Sequence, residues 1–165
     1  MADKKTRNIL LSVYFVMAAT GVLVLDQATK YLVIQKVPIN TSVEVIDGFF
    51  YITHVNNTGA AFGIFQEYTK VLTVISIVAI FLIVLLKLVV KIDTVLYNIS
   101  LGFILGGALG NLIDRYFVGR VTDFLNFTFF GAVFNIADFF INVGFILAII
   151  ILLIEYRKEK RLKRS

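Results

Sequence analysis

The segment VLTVISIVAIFLIVLLKLVV, Val71–Val90, carries a single charge, Lys87, in an otherwise apolar run. A helix needs about 20 mainly apolar residues to cross the hydrocarbon core of a bilayer. Within that core every backbone polar group must bond inside its own helix. The segment therefore reads as a membrane span. Three more segments follow the same logic. One runs from about Ile9 through Leu25 and on through DQATKYLVI, a second covers VLYNISLGFILGGALGNLI from Val95, and a third runs from about Ala132 to Tyr156. The expected fold is an all-α membrane protein, one domain over residues 1–165, with spans at approximately 9–33, 71–90, 95–114 and 132–156.

Composition agrees. Hydrophobic residues make up 59% of the 165 and charged residues 16%, against roughly 45–50% and 25% in soluble domains. The net charge of +5 gathers at the ends: Lys4, Lys5 and Arg7 before the first span, Arg157 to Arg164 after the last. Basic clusters beside apolar runs are what the positive-inside rule describes; nucleic-acid binding would want a basic face spread over a folded surface. The chain has no cysteine, which removes thiol nucleophiles and disulfides, and one histidine, His54. Neither a zinc site nor any cofactor is expected. The first span reads as retained, because its apolar run is long and no small-x-small cleavage site closes it. Four spans then put both termini in the cytoplasm with Lys87 and Lys91, and two connections outside.

The first outer connection, approximately 34–68, contains SVEVI and GFFYITHV, which read as short strands of a small extracytoplasmic β-sheet between helices 1 and 2. The turn-rich NNTGAAFG follows. The second joins the third and fourth spans. In the third span Gly102, Gly106 and Gly110 recur every four residues, a pattern that lets helix backbones approach closely in lipid.

Polar residues concentrate near the outer ends of the spans: Asp26, Lys30, Asn57, Asn111, Asp114, Arg115, Asp123, Asn135, Asp138 and Asn142. The i, i+3, i+7 spacing puts Asn135, Asp138 and Asn142 on one helical face. Ionisable residues at the edge of a span usually face a bundle interior or a water-filled cavity, so one polar pocket open to the outer leaflet is expected. Plainer readings exist. Asp26 and Lys30, at i and i+4, fit a simple ion pair; Asn111 and Asn135 fit interhelical glue; Asp123 fits a cap. Asp138 resists them, because it lies in an apolar run with no basic residue before Arg157. Asp123 and Asp138 as a pair suggest aspartyl chemistry, one ionised carboxyl activating water and one protonated carboxyl assisting the leaving group. Phe124, Phe127, Phe129, Phe130, Phe134, Phe139 and Phe140 crowd them in sequence.

Five blocks occur in order: DQATK (26–30), NNTGAAFG (56–63), GNLIDR (110–115), GRVTDF (119–124) and FNIAD (134–138). Together they resemble the lipoprotein signal peptidases, or signal peptidase II, the aspartyl membrane proteases that mature bacterial lipoproteins. The resemblance spans the chain. It implies a catalytic dyad of Asp123 and Asp138, with Asn57, Gly59, Asn111, Arg115 and Asn135 binding substrate or supporting the site. Asp26 and Lys30 are expected in structural or substrate-positioning roles, and Asp114 with them. The implied reaction is hydrolysis just before the diacylglyceryl-modified cysteine of a prolipoprotein, in the bacterial cytoplasmic membrane near its outer face. Membrane lipids and globomycin-type inhibitors are the other partners implied. A small channel or transporter, with aspartates lining a cation path, is the competing class; it would want polar residues through its whole depth. An assembly subunit would explain the glycines and amides but not two acids beside phenylalanines.

Overall fold

The computed structural model describes residues 3–59, 67–90 and 92–163. The second half of NNTGAAFG, the end of the first outer connection up to residue 66, and Lys91 and Arg164 lie outside the described residues. Among the described residues, four helices are long and apolar enough to cross a membrane: α1 (Lys4–Lys36), α2 (Glu67–Val89), α3 (Val95–Phe117) and α4 (Ile136–Leu162). Their outward faces are apolar, as at Val16, Met17, Phe81, Leu88 and Phe145, all largely exposed. In lipid such a face needs no cover, so the usual inside-out logic of soluble helices does not apply.

Helix α3 is the centre of the bundle. Its buried residues are mostly small or polar, among them Ser100, Gly102, Gly106, Gly107, Gly110, Asn111 and Asp114. The four-residue glycine spacing works as expected. A Cβ on Gly102 or Gly106 would collide with the backbone of α1 at Phe15 and Ala19, and one on Gly107 with the carbonyl of Ala137 in α4. Backbones that close gain dispersion contacts where lipid supplies no hydrophobic drive. Below this, Tyr97, Leu101, Ile83, Ala148 and Ile151 form an apolar core.

A four-stranded antiparallel sheet of order β1-β2-β3-β4 caps one end. Strands β1 (Ser42–Ile46) and β2 (Phe50–Asn57) match the two expected strands. The sheet is larger than the sequence suggested: β3 (Val121–Phe127) and β4 (Val133–Phe134) come from the second outer connection. VTDFLNF alternates too weakly to read as a strand, because its first four residues are buried on both faces. The start of the fourth span shifts accordingly. Residues 133–134 are strand, and Asn135, at φ −127° and ψ 179°, is the N-cap of α4, so it belongs to no helical face.

Candidate active site

Four elements deliver the site. Strand β3 carries Asp123, the N-terminus of α4 carries Asn135 and Asp138, α3 carries Asn111, Asp114 and Arg115, and α1 carries Asp26 and Lys30. Asp123 pairs with Val55 of β2, two residues from Asn57 on the same strand. That diagonal is within side-chain reach across an antiparallel ladder, and Asn57 Nδ2 donates to Asp123 Oδ2 at 2.8 Å. Asn57 is itself held by the Gly59 amide, which donates to its Oδ1 at 2.7 Å. Gly59 sits at φ +87°, a conformation open to glycine at little cost.

Asn135 ties the two acids together. Its Nδ2 donates to Asp123 Oδ1 at 2.6 Å. Its Oδ1 accepts from the Asp138 amide at 2.9 Å, and its own amide donates to Asp138 Oδ2 at 3.3 Å. The last two bonds form a capping box with aspartate in the third position. Asn111 completes the frame, donating to Asp138 Oδ1 at 2.8 Å and accepting from Asn135 Nδ2 at 3.2 Å. Behind it lies a buried ion cluster. Lys30 Nζ meets Asp26 Oδ2 at 2.7 Å, Asp114 Oδ2 at 2.9 Å and Asn111 Oδ1 at 3.1 Å. Asp26 is fully buried and Lys30 nearly so, which rules out the plain exposed ion pair. Asp26 also accepts from the Ala137 amide at 2.9 Å, tying α1 to the first turn of α4.

Arg115 donates to Ser76 Oγ on α2 at 3.1 Å and to the Asn111 carbonyl at 3.5 Å. It joins the site's edge, lining a cleft that also holds Thr58, Lys70 and Arg120. Asn142 lies one turn beyond Asp138 and donates to the Asp138 carbonyl at 2.9 Å. One participant escaped the sequence reading. Gln27 Nε2 bridges Asp114 Oδ1 at 3.0 Å, Asp26 Oδ2 at 3.2 Å and the Gly110 carbonyl at 3.3 Å. It stands inside the DQATK block, and its place beside Asp26 was the available signal. Among the described residues no buried side-chain nitrogen or oxygen lacks a hydrogen-bond partner, so the network is complete.

The two aspartates differ in setting. Asp123 is buried, whereas Asp138 is only partly so and lines a cleft. Burial pushes the Asp123 carboxyl up to about 6; the Asn57 bond opposes the shift and the charge of Asp138 adds to it. The cleft at Asp138 has a volume of about 730 Å³ and is walled by Phe127, Phe129, Phe130, Phe134 and Phe139. Phe124 and Phe140 are not in that wall. Phe124 packs with Val33 and Val37, and Phe140 against Phe103 at 4.8 Å between ring centroids.

The profile of one family, signal peptidase (SPase) II, matches residues 18–154 and so takes in every residue of this network. The chain belongs to the signal peptidase II family. It is therefore an enzyme, a bacterial membrane peptidase, and its four candidate spans fit a multi-pass protein. Relatives named lipoprotein signal peptidase share substantial identity. The lipoprotein signal peptidase of Caldanaerobacter subterraneus subsp. tengcongensis is 50% identical over 127 residues, covering 76% of this chain and 86% of that one. The lipoprotein signal peptidase of Listeria monocytogenes serotype 4b is 36% identical over 153 residues, 91% of this chain and 99% of its own. Among solved structures, a bacterial membrane enzyme determined by the in meso method at 1.9 Å resolution superposes with a TM-score of 0.78 at 35% identity, covering 84% of this chain and 92% of that one.

Proposed function

We propose that this signal peptidase II family member is an aspartic endopeptidase that hydrolyses prolipoproteins immediately before the diacylglyceryl-modified cysteine, with Asp123 and Asp138 as the catalytic dyad. The observation that carries the proposal is Asn135. A single residue reaches both acids: its side chain donates to the Asp123 carboxyl and accepts from the Asp138 amide, while its own amide donates to the Asp138 carboxyl.

Chemistry follows from the settings. Asp123, buried and raised to about 6, is the member whose setting favours the protonated form, and it serves as the acid. Asp138 faces the cleft from the first turn of α4, on the side open to a water and the scissile bond. Asp138 takes a proton from water while the water oxygen attacks the scissile carbonyl carbon. Asp123 protonates the departing amide nitrogen, and the C–N bond breaks. The signal peptide leaves with a new carboxylate and the lipidated cysteine with a free amine. Asn57, Asn111 and Asn135 hold the carboxyls in place, and Arg115 steadies the substrate backbone from the separate cleft that it lines with Thr58, Lys70 and Arg120.

The phenylalanine-walled cleft suits the acyl chains of the substrate, neighbouring membrane lipids and apolar cyclic-peptide inhibitors of the globomycin type. In this reading the sheet and the dyad lie at the outer membrane face. The test is cleavage of a lipidated precursor by purified enzyme. Asp123→Asn and Asp138→Asn should each lower kcat by at least about 10²-fold, with EDTA without effect, while Asp93→Asn stays active. Asp93 pairs with Arg7 through half-exposed side chains, far from the chemistry in this reading. An active Asp138→Asn enzyme would end the dyad assignment.

A further inference from the structure

Lys30 stands one residue removed from the dyad, behind Asn111. An ammonium has three donors and accepts nothing. Here the three nearest oxygens belong to Asp26, Asp114 and Asn111, at 2.7, 2.9 and 3.1 Å. Asn111 must therefore turn its Oδ1 towards Lys30, which leaves its Nδ2 for Asp138 Oδ1 at 2.8 Å. A flipped amide would set an NH₂ group against an ammonium and a carbonyl oxygen against a carboxylate. The same Oδ1 also takes Asn135 Nδ2 at 3.2 Å, and that nitrogen reaches Asp123 at 2.6 Å. Both acids thus connect to Lys30 through the Asn111 amide, Asp138 by way of its nitrogen and Asp123 by way of its oxygen and Asn135.

We propose that Lys30 is a positioning residue for hydrolysis: held between Asp26 and Asp114, its ammonium sets which end of the Asn111 amide faces the dyad. The proposal rests on the reading of Asp123 and Asp138 as the dyad. The two carboxylates do more than balance a charge. Asp26 is anchored from α4 by the Ala137 amide, and Asp114 from β3 by the Thr122 amide at 3.4 Å. Helices α1 and α3 meet at this ammonium, and α4 and strand β3 hold its two carboxylate partners, so its position follows from the packing of all four elements. A purely structural ion cluster would need no bond to Asn111.

Removing Lys30 alone strands two buried carboxylates, which is strongly destabilising. The variant of choice is therefore Lys30→Met with Asp26→Asn, which removes one charge of each sign. It is compared with Asn111→Ala and with the three changes combined, using kcat and KM on lipidated precursor and Tm in detergent. Positioning predicts a loss in kcat of about 10²-fold with KM within a few-fold. It also predicts that the combined variant is no slower than Asn111→Ala, because residues acting through one another do not add. Independent losses that multiply, or a loss confined to Tm, would overturn the proposal. So would an Asn111→Ala enzyme with normal kcat, whatever becomes of the Lys30 variant. Activity in Asp123→Asn or Asp138→Asn would instead sink the dyad itself, so the two failures are distinguishable.

Discussion

Asn135 donates to Asp123 across 2.6 Å from a position that also caps the helix bearing Asp138. One asparagine thus performs a folding task and a catalytic one, and substitutions separate them. Asn135→Ser keeps a good N-cap but is too short to donate to Asp123. It should leave Tm nearly unchanged while activity falls by about 10²-fold. Asn135→Ala should lose the same activity plus about 1 kcal/mol of stability. A Ser variant with normal turnover would show that the link to Asp123 is dispensable.

Asp123 makes stability depend on pH in a definite direction. Its carboxyl is raised to about 6 in the folded protein, mainly by burial, so the folded state binds the proton more tightly than the unfolded chain. The contribution is fully present below about pH 4 and is lost as pH rises through about 6. Wild type should therefore lose on the order of 2–3 kcal/mol between about pH 4 and pH 8 relative to Asp123→Asn, which has no proton to release. The measurement is the difference in thermal unfolding between the two proteins across that range. A flat difference would contradict the raised carboxyl.

Gly110 lies against Asp26: a Cβ there would overlap the Asp26 carboxylate. Gly110→Ala should push Asp26 from Lys30 and loosen α1 from α3. Overpacking of this kind costs about 1–3 kcal/mol. Gly21 has open space around its α-carbon, so Gly21→Ala should be neutral or mildly stabilising. Equal Tm for both variants would refute the close-approach argument.

Acyl chains should matter through placement. A precursor already in the bilayer gains little from moving its chains into the phenylalanine cleft, because lipid and cleft are both apolar. Holding the scissile carbonyl is another matter, since a misplacement of about 1 Å can cost on the order of 10²-fold in rate. Unlipidated precursor in the same nanodiscs should be cleaved at least about that much more slowly. Equal initial rates would leave the aromatic wall without a role in recognition.

Basic residues at both chain ends predict the orientation. Single cysteines introduced into this cysteine-free chain near Arg7 and after Arg161 should be shielded from an impermeant thiol reagent in intact cells. One at Arg120 should react. Labelling near Arg161 from outside would invert the topology.

How much was legible in the sequence depended on the range of the forces involved. The four spans are local facts: about twenty apolar residues must sit in hydrocarbon, and Val71–Val90 says so without reference to any other segment. The glycines of α3 announced close packing for a similar reason, since the absence of a side chain is visible in one dimension. Asp123 and Asp138 stood out because a carboxylate among phenylalanines is costly and so calls for a reason. What the chain order could not carry was the meeting of distant parts. Strand β3 is a strand because β2 lies on one side of it and β4 on the other, and its buried residues conceal the alternation by which isolated strands are recognised. Asn135 read as one face of a helix and is its cap, a difference of one backbone conformation decided by the pairing of Leu125 with Phe134 just before it. Lys30 and Asp26, four residues apart, fitted a plain exposed pair as well as a shared polar pocket. Only the approach of α3 and α4 buries them, brings Asp114 and Asn111 to the same ammonium, and joins a local ion pair to the two acids.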